Sequence, residues 1–400
     1  MNQISLPMVI LGLSFAPVLS WAAGPTDEAT AVSEIEKLGG KVTFDEGSPD
    51  KPVKAVDLAS SMVSDAGLGY LEGFTQLQSL DLTDNLISDA GLAHLKGLSK
   101  LQSLNLKIGL SCGRITDAGL EHLKGLSQLV DLQLAFTEVT DAGLEHLKGM
   151  RRLQDLDLSF TQVTDAGLQH LKGLSQLRWL TLNKTRITDS GLAHLKGLSQ
   201  LERLILGETL VTDVGLEHLK GLSQLRWLTL NNTRISDSGL AHLKGLSQLE
   251  RLTLGETLVT DVGLEHLKGL SQLRWLILNK TKITDSGLAH LKGMRRLQDL
   301  DLSFTQVTDA GLQHLKGFGQ LEQLNLHGTE ITDSGLVHLK GLSQLRVLYL
   351  GFTRVTDSGL EHLKGLSQLQ DLDLTGAQVT KEGVKKLQQA LPKCRITALK

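Results

Sequence analysis

The sequence predicts an α/β solenoid, a single elongated horseshoe or arc with a parallel concave β-sheet and short convex helices. Three observations carry this reading. The phrase T-D-x-G-L-x-H-L-K-G-L-S-Q-L-x-x-L-x-L-x-x-T-x-V recurs every 24 residues from Ser64 to Thr380 and is almost undistorted from Thr188 to Val211. A unit this short cannot bury its own leucines, so each copy must lay its apolar face on the next. Within each unit the apolar spacing changes from alternation to steps of three, which calls for one strand and one short helix per repeat.

The elements follow in order. Residues 1–22 read as a secretory signal peptide: an apolar stretch from Ile4 to Leu19, broken by Pro7 and Pro17, runs into Ser20-Trp21-Ala22-Ala23, with cleavage expected after Ala22. The stretch is shorter than the roughly 20 apolar residues of a spanning helix. No Lys or Arg precedes it, which leaves an uncleaved anchor as the alternative. Residues 23–52 form an N-terminal cap. Thr26 to Leu38 is a capped amphipathic helix stopped by Gly39-Gly40, and Lys41 to Asp45 alternates toward the turn residues Ser48-Pro49-Asp50. Val53 to Leu58 matches the repeat strand, with Val56 and Leu58 in leucine positions, so the sheet is expected to begin near Val53.

The array occupies residues 53–380. In Leu177 to Leu182, alternation puts Leu180 and Leu182 on one face and Trp179 and Thr181 on the other. Thr188-Asp189 then supplies helix-capping oxygens, Leu192 and Leu195 share a helix face, and Gly197 ends the turn. One irregularity, a four-residue insertion within Lys107 to Arg114, reads as a bulging loop. Residues 381–400 are the C-terminal cap: a helix from Lys381 to Leu391 stopped by Pro392, then a closing edge strand in Cys394 to Leu399. Polar end units shield the terminal leucines from water.

These residues resemble the leucine-rich repeat family, whose strand signature L-x-x-L-x-L-x-x-N/C-x-L stands here as Leu225-Leu228-Leu230-Thr233-Ile235. The resemblance covers roughly four fifths of the chain. The T-D-x-G-L-x-x-L half is similar to the cysteine-containing repeats of F-box substrate adaptors and to bacterial exported, internalin-like repeat proteins. Two departures stand out. The position usually held by Asn or Cys is Asn85 once and then Thr, from Thr137 to Thr353, so a hydroxyl must satisfy backbone groups there. No F-box-like helical segment precedes the array, so a ubiquitin-ligase role does not carry over. The resemblance implies a protein-binding module.

Composition narrows the function classes. With 41 basic and 44 acidic residues the formal charge is -3, which gives no electrostatic reason to expect nucleic acid, and after leader cleavage nothing remains to insert into a membrane. The two cysteines, Cys112 and Cys394, lie about eleven strands apart at ~4.8 Å each, too far for a disulfide. No nucleophile with base and orienter, no phosphate-cradling glycine loop and no cofactor fingerprint interrupts the pattern, so neither an enzyme nor a cofactor is expected.

Function must then reside in surface columns. The outward third position of each strand reads Asp131, Asp155, Trp179, Arg203, Trp227, Arg251, Trp275, Asp299. At ~4.8 Å between strands, Trp and Arg can form a continuous cation-π ladder. Beside it Arg178, Glu202, Arg226, Glu250 and Arg274 alternate in sign and can pair across strands. An exposed aromatic row rimmed by charge marks a partner site, with the acidic flanks Asp155 and Asp299 favouring a basic partner segment. The competing reading is a self-satisfied stack, because Leu174 to Gly221 is nearly repeated as Leu222 to Gly269 and Met150 to Gly173 as Met294 to Gly317. The expected partner is an unknown protein or peptide; the alternatives are an envelope glycan stacked on the indoles and a passive structural spacer. A flat sheet offers too few converging oxygens for calcium. Phe136, Phe160, Phe304 and Phe352 read as turn packing. The twelve histidines of the H-L-K phrase read as solvated surface, with no metal ligands at useful spacing.

Overall fold

The computed structural model describes residues 27–109 and 114–398 of the chain. The leader and Cys112 lie outside the described residues. The repeats stack into an open arc with one sheet, whose 16 strands follow each other in chain order among the described residues. After the five-residue Val53–Asp57, each array strand is three residues long, such as Trp179–Thr181 and Trp227–Thr229, and pairs in parallel with the next. Backbone hydrogen bonds between repeats continue beyond each strand, as where the Leu182 and Lys184 N–H groups donate to the Ile205 and Gly207 carbonyls.

Alternation delivers the expected inside and outside. Leu180, Leu182, Leu192 and Leu195 are fully buried, as are their counterparts along the whole array, in one continuous core. Burying a leucine side chain is worth roughly 1.5–3 kcal/mol, and no repeat obtains it without its neighbours. The insertion before Arg114 leaves the sheet undisturbed, since Ser103 still pairs with Asp131.

Three expectations need correction. The sheet begins not near Val53 but with the strand expected in the cap, Lys41–Phe44, which pairs antiparallel with Val53–Asp57 as the sheet's edge. Gly197 ends its convex turn without a left-handed backbone, with open space around it and no positive φ, where the short α-helix Asp189–Leu192 tightens into a 3-10 turn at Ala193–Leu195; at the same position of a later repeat Gly317 is left-handed, with φ +96°. The aspartate of the T-D phrase does not cap its own helix. Thr188 does so, its Oγ1 accepting from Ser190 N–H, whereas Asp189 reaches into the following repeat.

That reach is the main polar tie of the convex side. Thr212 donates its N–H to Asp189 Oδ1 at 2.7 Å and its hydroxyl to Oδ2 at 2.6 Å. The same bond pair recurs from Asp65, which holds Ser88, to Asp357, which holds Thr380. The glycine two residues after each aspartate makes room for the aspartate of the preceding repeat: a Cβ on Gly215, which follows Asp213, would lie 2.4 Å from Asp189 Oδ1. On the inner side the expected hydroxyl ladder is present, with Thr233 Oγ1–H donating to the Leu230 carbonyl at 2.6 Å. Asn85 instead reaches into the preceding unit, its amide donating to the Leu58 carbonyl and accepting from Val63 N–H.

The N-terminal helix Glu28–Lys37 starts on Asp27, whose carboxylate accepts from Thr30 N–H, and stops at Gly39, where φ is +86°. At the other end the helix Lys381–Ala390 and the strand Arg395–Thr397 close the core as expected. Cys394 is buried there, and burial pushes its thiol up to about 11.

Candidate functional site on the concave face

The strand register brings the outward row together. Asp131, Asp155, Trp179, Arg203, Trp227, Arg251, Trp275 and Asp299 are consecutive pairing partners across eight strands. The Arg203 guanidinium lies 3.7 Å from the Trp227 ring centroid and 5.9 Å from that of Trp179. Arg251 approaches Trp227 from the other neighbouring strand at 4.4 Å. Both faces of Trp227 are therefore covered by cations. The stack ends at Arg251: among the described residues no cation-π contact reaches Trp275, so the expected continuous ladder is shorter than the row. Trp179, at the open end, is 45% exposed.

Among the described residues neither ladder arginine has a carboxylate partner within ion-pair distance, and the buried Nε–H of each is unpaired. Burial lowers the pKa of Arg203, an effect opposed by Asp155. Asp155 itself is pushed up to about 6 by burial, reinforced by Asp131. Asp299 is likewise pushed up to about 6, by burial and by Asp301. From Asp155 to Asp299 the row thus reads acid, indole, guanidinium, indole, guanidinium, indole, acid, the same from either end about Trp227.

The flanking charged row pairs in part. Arg178 Nε donates to Glu202 at 2.9 Å, while Arg226 and Arg274 share Glu250 at 3.6 and 3.9 Å. The expected unbroken alternation is a pair and a triplet instead.

A second row was not singled out from the sequence. Two positions beyond Thr181 and its equivalents stand Asn183, Gly207, Asn231, Gly255 and Asn279, again symmetric about the central repeat. The carboxamides lean over the glycines, since a Cβ on Gly207 would lie 2.7 Å from Asn231 Oδ1 and 2.9 Å from Asn183 Oδ1. Around Gly255 a depression is lined by Asn231, Arg251, Thr253, Asn279 and Asp299. Arg251 Nε, Thr253 Oγ1 and Asp299 Oδ1 are buried in it without partners. The sequence signal was the N-G-N-G-N alternation at the repeat period.

The phenylalanines are not packed into the turns. Phe136, Phe160, Phe304 and Phe352 occupy left-handed backbone, with φ between 52° and 64°, which points them outward along the rim. Phe136 stacks on Phe160 at 4.0 Å, and His327 bridges Phe304 and Phe352 at 5.1 Å to each. The H-L-K histidines also depart from expectation. They are half-buried, most of these segments winding as 3-10 turns, and His94 reaches back to Glu72 of the preceding unit. Among the described residues no three His, Cys, Asp or Glu side chains converge to hold a metal ion.

Comparison with known families resolves the kinship. The family profile described as leucine-rich repeat region matches residues 144–399, more than half of the chain, and a second, described as leucine-rich repeat, matches 75–95. The chain belongs to the leucine-rich repeat family. No curated protein sequence matches it. Among solved structures this leucine-rich repeat chain is similar to an internalin from Listeria monocytogenes, with 23% identity, TM-score 0.62 and coverage of 93% of this chain and 94% of that one. It is also similar to a leucine-rich repeat protein from Leptospira interrogans, with 18% identity, TM-score 0.58 and coverage of 85% and 94%. The third is the leucine-rich repeat ectodomain of the plant membrane receptor kinase GASSHO1/SCHENGEN3 from Arabidopsis thaliana, solved in complex with Casparian strip integrity factor 2. There the identity is 18%, the TM-score 0.51 and the coverage 90% and 51%. At these identities the likeness is one of fold.

Proposed function

We propose that this leucine-rich repeat array is an exported, non-enzymatic module that binds a protein or peptide on its concave face. The contacts are assigned to Trp179, Arg203, Trp227, Arg251 and Trp275, with Arg178, Arg226, Arg274, Asp155 and Asp299 around them. The observation that carries this reading is the pair of ladder guanidiniums without a carboxylate partner, set among indoles on a rigid sheet. A purely self-satisfied stack has no need of unpaired buried N–H groups, which cost free energy until an acceptor arrives. Aromatic and Arg side chains also dominate binding hot spots. The ligand-bound state in which the Arabidopsis ectodomain was solved is in keeping with the reading. The glycan alternative is weakened at the centre, because both faces of Trp227 are already covered and a sugar ring needs a free face.

In the same reading the chain divides into a leader, 1–22; an N-terminal cap, 23–52; the array, 53–380; and a C-terminal cap, 381–400. Export rests on the apolar run ending in Ser20-Trp21-Ala22-Ala23. No helix among the described residues is long and apolar enough to cross a membrane. A mature amino terminus at Ala23, read by sequencing the protein recovered outside the cytoplasm, is the expected mark of that leader.

The binding test is affinity capture from an extracellular and envelope extract, comparing the protein with a variant carrying Ala at Trp179, Trp227 and Trp275 whose fold is verified by circular dichroism. Selective loss of a protease-sensitive ligand is expected. Equal recovery by both proteins would contradict the assignment. With the ligand in hand, Trp227→Ala should weaken its binding by about 2 kcal/mol in calorimetry.

A further inference from the structure

We propose that the row from Trp179 to Trp275 is a docking track for a polyproline II segment with one acidic residue per turn and basic residues beyond its ends; this rests on the peptide-binding reading above. The period is the first argument. The indoles sit on every second strand of an in-register parallel sheet, as do the two guanidiniums. Strands ~4.8 Å apart set both repeats at ~9.6 Å. A polyproline II helix advances about 9.3 Å per three-residue turn, whereas an extended β-strand presents side chains to one face every ~6.6–6.8 Å. The former stays in step across the track; the latter is out of step after one repeat.

Charge is the second argument. The centre of the track holds Arg203 and Arg251 with no carboxylate among the described residues paired to them, and the row closes on Asp155 and Asp299. A segment placing apolar residues over the indole edges and a carboxylate over each guanidinium matches the centre, and Lys or Arg beyond it matches the ends. Hydrogen bonding is the third. The polyproline II backbone has no internal hydrogen bonds, so its carbonyls need donors. Asn183, Asn231 and Asn279 recur beside the track at the same ~9.6 Å spacing, separated by glycines whose missing side chains give the carboxamides their room. Because the row reads the same from both ends, it imposes a period and not a direction.

The test uses the full chain and fluorescence anisotropy of two labelled synthetic peptides of equal composition. One carries four Pro-Pro-Glu triplets between lysine pairs, and the other has the same residues with the glutamates clustered at its centre. The triplet peptide should bind at least tenfold more tightly. The variant carrying Arg203→Gln and Arg251→Gln, with its circular dichroism unchanged, should lose that preference, whereas Arg203→Lys should retain part of it. Equal affinity for the two peptides, displacement of the triplet peptide by an equal concentration of oligogalacturonate, or no binding of either peptide would overturn the proposal. If neither peptide binds but capture of a protein still depends on the three tryptophans, the polyproline assignment fails and the broader reading stands. If capture ignores the tryptophans, both fail.

Discussion

The guanidinium of Arg203 lies 3.7 Å from the centre of the Trp227 ring, and Arg251 covers the opposite face at 4.4 Å. This sandwich makes Trp227 a stabilising element as well as a contact residue. A cation-π contact is worth about 0.5–2 kcal/mol depending on desolvation. Trp227→Ala should therefore destabilise the array more than Trp179→Ala, by about 1–2 kcal/mol, when the two are compared by guanidinium unfolding. Equal effects would mean that the second guanidinium contributes nothing.

Asp189 and Gly215 form a coupled pair. Asp189→Ala leaves the Thr212 N–H and hydroxyl without their acceptor and should cost about 1–3 kcal/mol. Gly215→Ala should also destabilise, since its Cβ would press on Asp189 Oδ1. In a double-mutant cycle the second change should cost much less once Asp189 is Ala. Additive effects would show that the glycine serves something other than room for the carboxylate.

Asp155 and Asp299 predict a pH dependence. Both titrate near 6, above the ordinary 3.8, so between these values the folded state holds more protons than the unfolded one. Their contribution to stability is greatest below about pH 4 and is lost as pH rises through 6. The double variant Asp155→Asn and Asp299→Asn should match the parent in melting temperature near pH 4 and exceed it at pH 7. A constant difference across that range would refute the assignment.

The rim aromatics predict a different pattern. Phe304 and Phe352 are 52% and 61% exposed, so Phe352→Ala should change stability by less than about 1 kcal/mol, far below the 3–5 kcal/mol of a core phenylalanine. A core-sized loss in thermal unfolding would restore the turn-packing reading.

The fold was legible because a 24-residue repeat forces the same strand, turn and helix each time, and the register that aligns Trp227 between Arg203 and Arg251 follows from equal repeat lengths. Three features escaped for stated reasons. Asp189 looked like a helix cap because T-D is a capping signal, and only the stacking distance reveals that its carboxylate spans to Thr212. The histidines were placed with α-helical angles, whereas the turns wind more tightly. The left-handed turn that turns Phe160 outward has no glycine in its own repeat, and in that column only Gly328 and Gly376 announce it. In the site, the sequence supplied the order of the row but not that Trp275 lacks a stacked guanidinium, which is a matter of side-chain conformation.

The most direct test of concave recognition is site-specific photo-crosslinking in an envelope extract, with the reactive side chain at Thr229 on the inner face or at Ala241 on the convex side. A defined partner crosslinked from Thr229 and not from Ala241, and lost when Arg203 and Arg251 are both changed to Gln, is the expected result. A partner captured from Ala241 alone, or from both positions alike, would contradict it.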